Sequence, residues 1–461
     1  MVLVCGQYQD NQGGLRETTN RIGRGAGCAR EIFRSSGLTP LRQALDPSAF
    51  AQALPRPAAP HAMLVPEVVF WLMATVALGQ PSMAAGVPAF WASARAVMPE
   101  LPLRAVTEEA FCLARAALPL RFFIRLFTGL LDRFRNRVGP RSRWKGKRLL
   151  GIDGMEIDLP MNPHLRRIYP GASNQRGRAK RPQARLVGLV GLWDGVCYAF
   201  RWTGLSVSEQ YSARKLLPGL TSGDLLMADR NFPDLATFIG ILRPGADFLF
   251  HLPSNRFLKK AWTRTPSGRA DEWYIELSLP TARRVRVLEY QWAGFRTSWL
   301  ITSLLDTEAF SHDALVELYH DRWHQETFHR EWKYTLQLGN LRSHTACGIL
   351  KEVLVQLTLN NAVRWIMADA APPGVRAVDL QFLSAKRLLV ASVPAMTAAP
   401  ARMLPQMYRE LLSEIARCRI RVRPGRSYPR RWDARRRPKG RGRSARPARL
   451  TSPKPENALR I

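Results

Sequence analysis

Three acidic residues have the sequence context that metal-dependent phosphoryl chemistry requires. Asp153 follows an apolar stretch in GIDG, and Asp229 follows another in LLMADRNF. Glu326 lies in YHDRWHQETFHREWK, where the spacing of apolar residues predicts a helix. Carboxylates at strand ends point into the crevice where sheets commonly host ligands, and their oxygens suit hard divalent cations. Either aspartate alone could simply cap a following helix, so the prediction depends on all three converging.

The segment around Glu326 also carries a phenol and two cations at helical spacing. Tyr319, Arg322, Glu326 and Lys333 are offset by 0, 3, 7 and 14 residues. At about 100° per residue, the four fall within roughly 60° of one another. A solvated charged face is one interpretation of this stripe. The other is chemical, because a carboxylate can hold a divalent metal while neighbouring cations grip phosphates.

The charge balance favours a polyanionic partner. The 461 residues include 69 Lys+Arg against 36 Asp+Glu, a formal net charge of +33. Because neutralising phosphates releases condensed counterions, such a surplus is typical of proteins that bind nucleic acid. High arginine usage throughout a proteome is the alternative explanation, but it does not account for the clustering of the charge.

The spacing of cysteines and histidines predicts no zinc site. None of the six cysteines forms a C-x-x-C pair, which is typical of a reduced, cytosolic protein. His320 and His324 are four residues apart, as in a zinc pair, and His329 lies nearby. The glutamate that should follow the first histidine is missing, so we interpret the cluster as structural. The apolar run at 63–79 contains Pro66 and predicts a buried helix rather than a membrane span.

Composition divides the chain into segments. Residues 1–36 are rich in Gly and Arg and predict a flexible leader. Residues 37–135 have helical spacing and predict an α-helical N-terminal domain. Residues 136–370 predict an α/β catalytic domain with a β-rich insertion at about 253–300. Residues 371–415 predict a helical C-terminal segment.

Within the catalytic domain, patterning predicts the elements that must position the acidic residues. Apolar alternation and turn residues indicate strands, and intervals of three and four indicate helices. The predicted elements are a hairpin over 184–204 turning at Asp194 and Gly195, strands over 224–229 and 247–252, and helices over 235–242, 311–336 and 349–368.

Two basic segments are candidates for phosphate contact. The tail at 416–461 has 17 Lys+Arg and 2 Asp+Glu, predicts disorder, and is either a DNA-binding arm or solvated without a role. The loop at 173–185 is either solvated or a phosphate-contact loop between strands of the site. Its cations are Arg176, Arg178, Lys180, Arg181 and Arg185.

These motifs together resemble the bacterial DDE transposases of the insertion-element-four type. Their signature, Tyr-x2-Arg-x3-Glu-x6-Lys, matches YHDRWHQETFHREWK, and IDG around Asp153 resembles their first acidic motif. ADRNF around Asp229 resembles the second, with Asn231 in place of the usual glycine. Asparagine tolerates left-handed backbone better than other non-glycine residues, so the turn can be kept. LRSHT at 341–345 resembles the segment after the helix, and the resemblance spans residues 149–365. Glu156 and Asp158 stand where the family often has small hydroxyl residues.

The resemblance implies an α/β fold with a ribonuclease-H-like catalytic core, a β-rich insertion and a preceding α-helical domain. It implies that Asp153, Asp229 and Glu326 are catalytic and hold two Mg²⁺ ions, for which Mn²⁺ substitutes. It also implies DNA-phosphate contacts by the neighbouring side chains of these motifs. The residues expected to make those contacts are Tyr319, Arg322, Lys333, Arg230 and Arg342.

The implied function is cut-and-paste transposition in the bacterial cytoplasm, at the nucleoid. The partners are double-stranded DNA, as terminal inverted repeats and as target DNA, and a second copy of the chain; no membrane is involved. Related enzymes cut through a DNA hairpin with a flipped base, for which Trp292 and Trp299 are candidate stacking partners, although a core role suits either. A catalytically inactive DNA-binding descendant and another metal-dependent nuclease or hydrolase on this fold are the alternatives.

Overall fold

The computed structural model describes the chain in eleven stretches. They are residues 2–3, 50, 63–79, 82–97, 106–138, 142–174, 177–179, 181–253, 264–277, 283–291 and 296–421. Of the predicted segments, nearly all of the 1–36 leader and the basic tail beyond residue 421 lie outside the described residues, as do Arg176, Lys180 and Trp292.

In the part of the chain that the structure describes, four helices come before the long strands of the sheet, where the spacing predicted helices. They are α1 (Pro66–Leu78), α2 (Met83–Val97), α3 (Glu108–Ala117) and α4 (Leu120–Val138). Proline begins α1, where its fixed φ suits the first turn, and α3 begins after Thr107, whose side chain accepts a hydrogen bond from the Ala110 N–H. In the described part of the chain no single helix is long and apolar enough to cross a membrane; the bent pair Pro66–Leu78 and Met83–Ala92 passes by length and composition only.

One large mixed sheet forms the centre of the described structure. Its strands follow the order β7-β6-β3-β8-β9-β13-β12-β11-β10, with β1 beside β7 and β2 beside β3. The strands are β1 (Val2–Leu3), β2 (Arg143–Trp144), β3 (Lys147–Asp158), β4 (Ser173–Asn174), β5 (Gly177–Arg178), β6 (Gln183–Gly191), β7 (Cys197–Gly204), β8 (Asp224–Ala228), β9 (Asp247–Leu252), β10 (Arg264–Pro266), β11 (Glu272–Leu277), β12 (Arg283–Tyr290) and β13 (Ser298–Thr302). β4 and β5 form a separate small ladder.

The predicted hairpin is confirmed, since β6 pairs antiparallel with β7 and Gly195 in the turn has a φ of 71°. That left-handed backbone suits a residue without a Cβ. The predicted strands at 224–229 and 247–252 are β8 and β9, which run parallel to each other. The β-rich segment continues the same sheet, because β13 pairs antiparallel with β9.

Helices lie between and after these strands. They are α5 (Pro163–Ile168), α6 (Glu209–Arg214), α7 (Leu235–Leu242), α8 (His312–Tyr319), α9 (His324–Arg330), α10 (Ala346–Ala370), α11 (Phe382–Ala398) and α12 (Leu404–Arg417). The predicted helices at 235–242 and 349–368 are therefore present as α7 and α10. α10 packs against α1, α4, α11 and α12.

The helix expected at 311–336 is not one regular α-helix. A 3-10 turn, His320–Trp323, follows α8, and a π-helical turn, Glu331–Thr335, follows α9. Tightening by the first turn and widening by the second change the angular position of every side chain after residue 319. The predicted alignment of Tyr319, Arg322, Glu326 and Lys333, which assumed a uniform 100° per residue, is therefore wrong in detail. The segment is nevertheless helical from His312 to Thr335.

Buried polar groups tie α10 to the turn of the β6–β7 hairpin. The Asn361 side chain bonds both the N–H and the carbonyl of Cys197, at 2.8 and 2.9 Å. The Asn360 amide donates to the carbonyl of Gly195 and accepts from the Trp332 indole, each at about 3 Å. Since Trp332 lies in the π-helical turn, this network fixes the helical segment that carries Glu326 against the sheet.

Candidate active site

Asp153 and Asp229 lie where two parallel strands part. The last registered pair of β3 and β8 is Gly151 beside Met227. Each aspartate is two residues further along its strand path, so the register places them on adjacent strands at the same level. β3 continues to Asp158, and the expectation that Asp153 ends its strand was therefore wrong. β8 is the strand that ends here, so no strand pairs with β3 on that side of Asp153.

A short turn fixes the Asp229 carboxylate. Its Oδ1 accepts from the Asn231 N–H at 2.8 Å, and its Oδ2 accepts from the Asn231 side-chain amide at 3.3 Å. The non-glycine residues with positive φ in the described part of the chain are Lys145 and Gln337. Asn231 is therefore not left-handed, contrary to the sequence argument, and its place near the site is explained by the hydrogen bond to Asp229.

The Asp153 carboxyl is largely buried and surrounded by acidic groups. Burial raises its pKa to about 7, and the charges of Glu209 and Asp229 act in the same direction. The Gly154 N–H, which donates to Asp153 Oδ1 at 2.9 Å, and the charge of Arg322 lower the pKa. Asp153 therefore lies closer to like charges than to a cation that would neutralise it.

Arg322 lies among the three predicted carboxylates. Burial by itself lowers its pKa, but Tyr319 and the carboxylates of Asp229, Asp153 and Glu326 outweigh burial and raise it. Its Nη2 is 3.7 Å from Glu326 Oε1, and its Nε is buried without a hydrogen-bond partner among the described residues. The Glu326 side chain is 52% exposed. The structure thus brings the predicted trio to one guanidinium, with Glu326 on the solvent side.

Tyr319 lies beneath this cluster rather than on its surface. It is 7% exposed, and its hydroxyl donates to the carbonyl of Ala228 at 3.1 Å. Burial raises its pKa, so the phenol stays protonated and remains a donor. The structure gives Tyr319 an anchoring contact at the end of β8; its predicted contact with a DNA phosphate stays a prediction.

The other predicted phosphate-binding residues have different surroundings. Lys333 Nζ is 3.5 Å from the carbonyl of Glu156 on β3, and Arg230 is next to the second aspartate in the chain. Arg342 is half-buried, and its Nη2 donates to Gln337 Oε1 at 3.0 Å. Lys333 and Arg230 therefore border the site, whereas Arg342 lies beside α10, with its backbone N–H donating to Glu352.

Neutral histidines surround the carboxylates. His329 Nδ1 is 3.8 Å from Asp153 Oδ2, and its Nε2 is buried without a partner among the described residues. Burial lowers the pKa of His329 to about 4. Burial, with help from Arg230 and Arg322, lowers that of His251 on β9 to about 4 as well. Neither His251 nor His329 was singled out as a site residue, because their proximity arises only in the fold.

Sequence reasoning also missed Glu209. It is the first residue of α6, after Ser208, whose hydroxyl accepts from the Tyr211 N–H at 3.2 Å. A Cβ at Gly154 would overlap the Glu209 carboxylate, which therefore lies directly against the Gly154 backbone. Nothing in SVSEQYS distinguishes this glutamate from an ordinary residue at a helix start, and no signal in the sequence could have found it.

The donor set suits a hard divalent cation. Among the described residues no group of three or more His, Cys, Asp or Glu already has the arrangement of a formed metal site. The groups that converge are carboxylates, the ligands that Mg²⁺ and Mn²⁺ prefer. They fit such an ion because Asp153 and Asp229 are adjacent, partly buried and mutually repulsive, which is the situation that a bound cation relieves.

Trp299 and Arg185, two further residues considered for contact with DNA, form hydrogen bonds with other groups of the protein. Trp299 on β13 is half-buried, and its indole donates to Glu289 Oε2 at 2.9 Å. Arg185, from the basic loop, donates to the Val207 carbonyl at 2.8 Å and pairs with Glu156 at 3.1 Å. Both groups are held by protein contacts, and their roles toward DNA stay predictions.

The chain is similar to known transposases. Residues 144–360 match the family model for the transposase DDE domain. That segment is a DDE transposase domain. The chain is 24% identical over 339 residues to the transposase InsG for insertion sequence element IS4 of Escherichia coli (strain K12), covering 70% of this chain and 76% of the relative. The sequence-based assignment to DDE transposases of the insertion-element-four type is therefore confirmed.

A solved structure also aligns with the chain. It is the cryo-EM structure of a piggyBac transposase synaptic complex with hairpin DNA, with a TM-score of 0.42 and 12% identity over 87% of each chain. Similarity at this level does not establish a common fold.

Proposed function

We propose that this chain is an active cut-and-paste transposase that cleaves DNA at the ends of its insertion sequence and joins them to target DNA. The observation that carries the proposal is the placement of Asp153 and Asp229 side by side, with Arg322 between them and Glu326. A non-catalytic descendant would have no need to keep three carboxylates around one buried guanidinium.

The sheet supports a ribonuclease-H-like core. β7, β6 and β3 are neighbouring antiparallel strands, and β3, β8 and β9 are neighbouring parallel strands. In chain order this gives 3-2-1-4-5, with Asp153 on the central strand, β3, and Asp229 directly after its parallel neighbour, β8. The proposed domain division follows the same evidence: residues 136–370 form the catalytic domain, and the helices before it are the candidate for end recognition.

The proposed chemistry is divalent-metal phosphoryl transfer. Asp153, Asp229 and Glu326 would hold two Mg²⁺ or Mn²⁺ ions, which when bound would activate the attacking hydroxyl and stabilise the leaving oxygen. The chain's own contribution is placement. The turn at Asn231 orients Asp229, the Gly154 N–H orients Asp153, and both aspartates are held at a fixed spacing by the sheet.

The cations at the site are proposed to hold the scissile strand. Arg322 lies within electrostatic reach of Asp229, Arg230 follows that aspartate directly, and Lys333 lies over the edge of β3. A guanidinium can bind a phosphate in two places, which fixes its orientation as well as its charge. The net charge of +33 favours the same partner, double-stranded DNA, at the element ends and at the target. Two ends must be paired, so we propose a homodimer in the synaptic complex.

The test is cleavage of a DNA fragment that carries the element's own ends, in Mg²⁺ and in Mn²⁺. Wild type should release the ends and join them to a second DNA, and Asp229→Asn should do neither while still binding DNA. Asp313→Asn, an exposed carboxylate on α8, is the control that should cleave as wild type does. Equal DNA binding without cleavage by wild type in either metal would overturn the proposal in favour of a non-catalytic DNA-binding protein.

A further inference from the structure

Glu209 brings a carboxylate to Asp153 from a different helix than the one that carries Glu326. Asp153 faces His329 of α9, whereas Gly154, the next residue of β3, faces α6. Because successive residues of a strand point to opposite faces, Glu209 approaches from the opposite side of the sheet. It meets Asp153 at the level where β8 has ended and the strand edge is open.

The approach depends on a glycine. The Gly154 N–H donates to Asp153 Oδ1 at 2.9 Å. A side chain at position 154 would fill the space that the Glu209 carboxylate occupies. The two carboxylates therefore both lie against Gly154, close enough for the charge of Glu209 to raise the pKa of Asp153.

An ion pair with Arg185 does not account for this position. Arg185 commits Nη2 to Glu156 at 3.1 Å and Nη1 to the Val207 carbonyl at 2.8 Å, and it reaches Glu209 only through its charge. Two partly buried carboxylates repel each other unless a cation or a proton lies between them.

Other atoms at the centre indicate that it is built to hold something polar. Arg322 Nε and His329 Nε2 are buried and have no hydrogen-bond partner among the described residues. Buried polar atoms are rarely left without a partner, so such atoms at one cluster point to a ligand or ion bound there.

We propose that Glu209 is a fourth active-site carboxylate, which contacts the divalent cation bound at Asp153 from the face of the sheet opposite Glu326. This inference rests on the proposed function, because it assumes that Asp153 binds a metal. It assigns α6 a role in metal binding, whereas the predicted trio uses β3, the end of β8 and α9.

The first measurement is thermal unfolding of the full chain at pH 8, with chelator and with a Mn²⁺ titration. Glu209→Gln keeps the shape of the side chain but removes its charge. In chelator it should unfold at a higher temperature than wild type, because repulsion with Asp153 is relieved. Its Mn²⁺ affinity, followed by calorimetry, should be at least roughly 10-fold weaker, since even groups that only support a metal ligand change the affinity by about 10–100-fold. Glu156→Gln, which removes the other carboxylate facing Arg185, should keep wild-type Mn²⁺ affinity.

The outcomes separate the two proposals. If wild type binds Mn²⁺ and cleaves DNA, and Glu209→Gln has the same affinity or a lower unfolding temperature in chelator, Glu209 is a structural partner of Arg185 and this inference fails alone. If wild type neither binds Mn²⁺ nor cleaves, the proposed function fails first.

Discussion

The hydroxyl of Tyr319 donates to the carbonyl oxygen of Ala228, 3.1 Å away and one residue before Asp229. Tyr319 ends α8, and Ala228 ends β8. This contact therefore joins the helical segment that carries Arg322 to the strand that delivers the second aspartate. Tyr319, a residue of the sequence motif, therefore holds the start of this helical segment against the end of β8.

Replacing Tyr319 with phenylalanine should lower both stability and catalysis while leaving DNA affinity unchanged. The buried Ala228 carbonyl loses its donor, which costs about 0.5–1.5 kcal/mol of unfolding free energy. The Asp229 turn also becomes looser, so the cleavage rate should fall. Urea denaturation and single-turnover cleavage measure the two effects. Unchanged stability with weaker DNA binding would instead indicate that the phenol contacts a phosphate.

Adding a methyl group at Gly154 should disturb the site directly. The added Cβ would overlap the Glu209 carboxylate, so we expect Gly154→Ala to lose about 1–3 kcal/mol, as overpacked positions do, and to cleave more slowly. Gly204→Ala is the matched control, since the nearest neighbouring atom is 3.7 Å from a Cβ placed there. Equal behaviour of the two variants in denaturation and cleavage would show that the close approach of Glu209 is not maintained in solution.

The Asp321 carboxylate should contribute stability that depends on pH. Burial by itself raises its pKa, but hydrogen bonds with His324 and Trp193 and the charge of Arg376 hold it at about 2. Because this folded-state pKa is below the usual value, the contribution is present above about pH 4 and is lost as pH falls toward 2.

Asp321→Asn tests this dependence. At about 1.4 kcal/mol per pKa unit, the variant should be less stable than wild type by about 2 kcal/mol at pH 7. The difference in unfolding free energy between wild type and Asp321→Asn, measured in urea from pH 7 to pH 3, should become smaller only as the pH approaches 3. A difference that is constant with pH would mean that packing, not charge, stabilises this contact.

Arg364 and Glu331 form a buried ion pair, so the losses of stability caused by substituting each residue should not be additive. Arg364 on α10 is fully buried and pairs with Glu331 at the start of the π-helical turn. Arg364→Met leaves Glu331 without its cation and should cost about 3–5 kcal/mol. Adding Glu331→Gln should recover part of that loss in chemical denaturation. Strictly additive losses would contradict a direct ion pair.

Sequence patterns predicted the strands, the hairpin and most helices, because alternation and helical spacing are local properties. They also predicted that Asp153, Asp229 and Glu326 belong together, since the motifs around them resemble those of a known family. The ends of β3 and the irregular turns on either side of α9 were not predictable, because strand pairing and contacts with Asn360 and Arg364 determine them.

Residues that join the site only through the fold were beyond the sequence. Glu209 follows an ordinary helix start, and its approach to Asp153 depends on Gly154 and on the point at which β8 ends. His329 was visible as one of a histidine cluster, but the burial that keeps it neutral is a property of packing.

The central claim is that Asp153, Asp229 and Glu326 act as one metal-dependent site, and Glu326 tests it most directly because it comes from a different element. DNA carrying the element's own ends is incubated with Mg²⁺ and wild type, Glu326→Gln or Glu317→Gln, an exposed glutamate on α8. We predict that Glu326→Gln cleaves at least ~100-fold more slowly than wild type with equal DNA affinity, a loss of the size seen when one transition-state contact is removed. Glu317→Gln should match wild type. Equal cleavage by Glu326→Gln and wild type would contradict the account.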